Sequence, residues 1–148
     1  MKTILAIWHV ADMGKTETLR EFANLLLRRP AFKPIYPVPA AVPATGDFRL
    51  VLEINGHIVA VESGGDPFTD LEQRLIDLAD NFHAEVILCA TRTKGYTTVG
   101  AVDHVAATKG FETIYTSTYQ IGNPALHRTV NQSKARHLLN LLQRLGRI

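Results

Sequence analysis

An apolar run, Thr3-Ile4-Leu5-Ala6-Ile7-Trp8, is followed a few residues later by Gly14 and then by a stretch of helical periodicity that opens at Lys15. Leu19, Phe22, Ala23, Leu26 and Leu27 recur there at the three- and four-residue spacing of one buried face, which predicts a helix from about Lys15 to Arg29. Pro30 stops it, because a proline ring cannot continue a helix. A buried strand tied to a helix through one short connection is half of a βαβ unit, so the first thirty or so residues already favour an α/β chain.

The remainder extends that pattern. Pro30, Pro34, Pro37, Pro39 and Pro43 crowd residues 30–47, which predicts a long loop of extended character. Residues 48–54 and 57–62 are two apolar runs flanking Asn55-Gly56, the dipeptide best suited to a two-residue hairpin turn because both positions accept positive φ. Residues 70–79 have helical periodicity with an acidic opening, and Glu85 to Thr91 reads as a buried strand. A helix over about Val99–Thr108, a strand over Glu112–Ser117 and one long helix over about Pro124–Leu145 complete the order. Strands alternating with helices predict a three-layer α/β fold. Its sheet should be mostly parallel, with helices on both faces and one antiparallel edge contributed by the hairpin. Residues 1–148 are expected to form a single domain.

Composition removes several classes. Hydrophobic residues make up 46% and charged residues 20% of the chain, ordinary values that speak against disorder and membrane residence. No run reaches the ~20 apolar residues of a membrane span, and the short N-terminal apolar stretch runs straight into Asp12 and Lys15, so a soluble cytoplasmic protein is expected. The single Cys89 precludes an internal disulfide and, inside Val86-Ile87-Leu88-Cys89-Ala90, reads as a buried structural thiol. Between Thr113 and Ile148 there is no acid, while Arg128, Lys134, Arg136, Arg144 and Arg147 make the tail basic. A solvated amphipathic helix is the simpler reading of that tail, since no aromatic residues interleave with its charges. A protein partner is the alternative, with nucleic acid less favoured but not excluded.

The chemistry is concentrated at Gly14-Lys15-Thr16. A strand that feeds such a tripeptide at a helix start aims successive backbone N–H groups and a positive helix end at a phosphate chain. The lysine then reaches the terminal phosphates, and the threonine hydroxyl reaches Mg²⁺. Against the pattern G-x-x-x-x-G-K-[ST], His9 stands where the first glycine belongs, and Asp12 brings a carboxylate into the loop. With the order of elements, these residues make the chain resemble the P-loop NTPase superfamily, with a degenerate Walker A loop and a Ras-like succession of elements.

The resemblance implies that Asp12, Met13, Gly14, Lys15, Thr16 and Glu17 line a nucleotide phosphate chain. The turn Glu62-Ser63-Gly64-Gly65 corresponds to the Asp-x-x-Gly turn at the end of the hairpin's second strand. By resemblance, Glu62 and Thr16 would hold Mg²⁺, and the Gly65 N–H would sense the terminal phosphate. Glu in place of Asp shifts that carboxylate by about one bond length. Asp66, just beyond, reads as a helix cap with Pro67 rather than a base.

The guanine-reading pattern Asn-Lys-x-Asp is absent from the ends of the later strands, which favours ATP over GTP. Arg92 and Lys94, after one of those strands, are candidates for neutralising charge on a transferring phosphoryl group, or form a solvated basic loop. Tyr119, after the next, is a candidate to stack on the base. The six histidines lack the paired spacing of a zinc site. The leading expectation is an ATP-binding protein with Mg²⁺-dependent hydrolysis of nucleoside triphosphate. Its alternatives are a nucleotide or small-metabolite kinase, in which Arg92 and Lys94 serve the acceptor side, and a non-catalytic regulatory module of the same fold.

Overall fold

The structure is a computed structural model that describes residues 2–9, 14–64, 70–92 and 96–148. In chain order its elements are β1 (Lys2–His9), α1 (Lys15–Leu27), β2 (Lys33–Tyr36), β3 (Arg49–Ile54), β4 (His57–Glu62), α2 (Leu71–Asp80), β5 (Val86–Arg92), α3 (Tyr96–Lys109), β6 (Phe111–Thr116) and α4 (His127–Arg144). A short 3-10 turn at Pro124–Leu126 leads into α4. The strands form one six-stranded sheet in the order β2-β3-β4-β5-β1-β6. β4, β5, β1 and β6 run parallel, whereas β2, β3 and β4 pair antiparallel.

Alternation along the strands sorts the core into two layers. Leu5 and Ile7 of β1, Val59 and Val61 of β4, and Leu88 and Ala90 of β5 face Leu19, Phe22, Ala23 and Leu26 of α1 and Ala135, Leu138 and Leu142 of α4. Their neighbours Ile4, Ala6, Ala60, Ile87 and Cys89 point the other way, onto Leu75 and Leu78 of α2 and Val102 and Val105 of α3. Each fully buried Leu, Ile or Phe contributes about 2 kcal/mol of transfer free energy. The thiol of Cys89 is pushed up to about 12 by burial and then by the nearby Glu62, which makes it an inert packing group, as its apolar setting predicts.

The Asn55-Gly56 turn has the positive φ values, 52° and 81°, that the dipeptide was expected to supply. One expectation needs correction. Residues 30–47 are not loop throughout, because Lys33–Tyr36 pairs with β3, Pro34 lying opposite Leu52. Proline is tolerated there because β2 is the outermost strand, where a missing N–H costs no ladder bond on the open side. The antiparallel edge is therefore three strands deep, with the hairpin inside it.

Candidate functional site

The parallel strands β4, β5, β1 and β6 all end at one margin of the sheet, and the connections leaving β1 and β5 part company there. α1, reached from β1, packs on one face, while α3, reached from β5, packs on the other. A crevice between neighbouring strands whose connections diverge is where open α/β sheets bind ligands. Lys15 spans it. The first residue of α1, it is buried, and its Nζ donates to the carbonyl oxygen of Thr91 at the end of β5, at 2.9 Å. Thr91 is itself buried, and its hydroxyl has no hydrogen-bond partner in the described part of the structure. A lysine ammonium and a main-chain carbonyl of the neighbouring strand thus meet at the positive end of a helix.

Gly14, just ahead, adopts φ 82°, a left-handed conformation that a side chain would strain. A Cβ there would also sit 3.3 Å from the Oδ1 of Asn131 on α4. The requirement for glycine is therefore both conformational and steric. Asn131 is buried and accepts a hydrogen bond from the Thr18 hydroxyl at 3.4 Å, tying α4 to the first turn of α1. Thr16 is half-buried in that turn, and Glu17 is exposed and paired with Arg20. Arg20 in turn donates to the Pro43 carbonyl at 2.8 Å and to the Gly46 carbonyl, fastening the proline-rich segment to α1.

Beside Gly14 opens a cavity of about 390 Å³, within the size range of small-molecule sites. Gly14 and Glu17 form its α1 wall, and Tyr119, Gln120 and Ile121 of the segment after β6 form a second. His127, Val130 and Asn131 of α4 close it. The Tyr119 hydroxyl is 2.6 Å from Nδ1 of His137, and Lys134 Nζ lies 4.9 Å from the centre of its ring. Of the residues expected at the site, Gly14, Lys15, Thr16, Glu17 and Tyr119 are gathered in this region. Asp12, Met13, Gly65, Asp66 and Lys94, with the side chain of Arg92, lie outside the described residues.

Glu62 belongs to a different construction. It ends β4, separated from β1 by β5, and its carboxylate is fully buried. Oε2 accepts from Arg49 Nε at 2.7 Å and Oε1 from Arg74 Nη1 at 2.6 Å, while Arg49 also binds Asp77 of α2. Burial pulls the Arg49 guanidinium down, but its bonds to Glu62 and Asp77 outweigh that, so its pKa is raised. Asp77 is held below its ordinary value, first by a hydrogen bond from Asn81 and next by Arg49. Ser63 is buried as well, its hydroxyl accepting from the Phe48 N–H at 2.7 Å, and a Cβ added at Gly64 would sit 3.4 Å from the Arg74 guanidinium. This carboxylate does not fit a metal as it stands, because both oxygens are engaged and a divalent cation would meet two guanidiniums. Among the described residues, no cluster of three or more His, Cys, Asp or Glu is arranged to hold a metal ion.

Sequence reasoning missed Asn131, His127 and Thr91. Asn131 had a signal, a polar residue on the stripe that continues through Ala135, Leu138 and Leu142. Thr91 had none, since its importance comes from pairing β5 with β1. Among the described residues, no helix is long and apolar enough to cross a membrane. Comparison with models of protein families, with curated proteins and with solved structures returns no match, so the functional reading rests on this geometry.

Proposed function

We propose that this chain is a small P-loop-type ATP-binding protein. The observation that carries the reading is the Lys15 ammonium spanning the crevice between β1 and β5 at the start of α1. In that reading, a phosphate chain accepts hydrogen bonds from the N–H groups of the first turn of α1. Lys15 exchanges its Thr91 carbonyl for phosphate oxygen, and the Thr16 hydroxyl adds a polar group from the same turn. The nucleoside end enters the adjoining cavity, where the face of Tyr119 and the side chains of Ile121 and Val130 offer an apolar bed. Hydrolysis of nucleoside triphosphate is the reaction such a site would perform, with Lys15 countering charge on the terminal phosphates. Mg²⁺ arriving with the nucleotide would find the Thr16 hydroxyl but not the engaged Glu62 carboxylate.

That last point favours a second reading, a non-catalytic module that binds ATP as a switch. Equilibrium titration of ATP and GTP, followed by assays of phosphate release and of acceptor phosphorylation, separates the readings. Tight ATP binding with steady phosphate release supports the hydrolase. Binding without release supports the switch, phosphate appearing on an acceptor supports the kinase, and absence of binding contradicts all three.

A further inference from the structure

The two edges of the sheet are built differently. β2 carries Pro34, is followed by Pro37 and Pro39, and opens with Lys33, whose side chain is mostly exposed. Prolines and lysines of this kind stop an edge strand from recruiting another. β6, at the opposite edge, has none of these guards. It reads Phe111-Glu112-Thr113-Ile114-Tyr115-Thr116, rich in β-branched and aromatic residues and free of proline, glycine and lysine. Among the described residues it pairs only with β1, so the main-chain groups of alternate residues point outward along an open edge. Tyr115 beside that edge, and Tyr119 and Ile121 just past its end, are exposed large side chains.

Charge indicates what the edge accepts. Lys134 is partly desolvated, which lowers its pKa, and among the described residues it meets the Thr116 hydroxyl at 2.7 Å and the Tyr119 ring. Among the described residues no carboxylate lies on it. Glu112 sits at the other end of the same strand, on the same face, largely exposed and 3.6 Å from Arg147. An antiparallel pairing of two β6 strands about a two-fold axis near Ile114 sets Glu112 of each copy opposite or diagonal to Thr116 of the other. That brings each Glu112 to the Lys134 of the opposing copy, satisfying two partly desolvated lysines symmetrically.

We infer that β6 is a homodimer interface, joining two copies edge to edge into one continuous twelve-stranded sheet. Sedimentation velocity on the full chain across the micromolar range tests it. A concentration-dependent dimer is expected, weakened about tenfold or more by Thr113→Lys, which sets two like charges near the axis. Tyr36→Lys on the guarded β2 edge should leave the dimer intact. Glu112→Lys should weaken it, and Glu112→Lys combined with Lys134→Glu should restore it, a rescue that also decides the matter should Thr113→Lys fail to fold. A parent that stays monomeric throughout, or a dimer indifferent to both Thr113→Lys and Glu112→Lys, overturns the inference.

Discussion

The two sides of the carboxyl margin of this sheet hold buried charge in opposite ways. On the antiparallel side, Glu62 is locked between Arg49 and Arg74, and Arg49 is locked again by Asp77, so ionic groups of both signs are spent on one another. On the parallel side, the contacts of Lys15 include a neutral carbonyl across a crevice, next to a cavity that takes residues from three segments. A carbonyl is a weaker acceptor for an ammonium than an anion is, so an arriving phosphate can outbid it. The first arrangement welds α2 to the hairpin, whereas the second leaves room for a ligand. Buried charge alone therefore does not mark a functional site; under the proposed function, what marks one is an interaction that a ligand can improve.

The sharpest way to break the comparison is Glu62→Ala. It strands two guanidiniums beside a buried cavity and should cost about 3 kcal/mol, the lower part of the range for buried pairs because Arg74 keeps partial access to water. Urea unfolding measures it, and a change within error would mean that the network is not structural. Gly14→Ala should cost about 1 kcal/mol for the left-handed backbone alone, with a further penalty unless Asn131 gives way. Its nucleotide affinity should fall more than its stability, which parallel melts and titrations would show.

The smallest effect is the pH response of Asp77. Its pKa is lowered on folding, so its contribution is fully present above the ordinary aspartate value of 3.8 and fades as pH falls through the folded-state value. Asp77→Asn should lower stability at neutral pH, where the parent has the full contribution, and flatten the acid limb so that parent and variant converge at low pH; an unaltered acid limb would remove Asp77 from the account.

Much of the architecture was legible because periodicity reports burial directly. The apolar stripe of α1, the Asn55-Gly56 turn and the apolar run of β5 each carry a local physical signature that tertiary contacts had only to accept. β2 was not legible, since its prolines argue for a loop until the strand is seen to lie at an edge with a free side. At the candidate site, Gly14, Lys15 and Thr16 are contiguous, so their pattern is visible in the sequence. The fate of Glu62 could not be read, because Arg74 arrives from α2 and Arg49 from β3, and pairings at that distance leave no pattern in sequence. Asn131 and Thr91 reach the site for the same reason, through packing of α4 on α1 and of β5 on β1.

Calorimetric titration of ATP with Mg²⁺ into the parent chain and into Lys15→Ala tests the central claim most directly. The account predicts binding to the parent and at least about tenfold weaker binding to the variant, the equivalent of about 1.4 kcal/mol lost with the ammonium. Equal affinity of the two proteins, or no heat of binding to the parent, would contradict it.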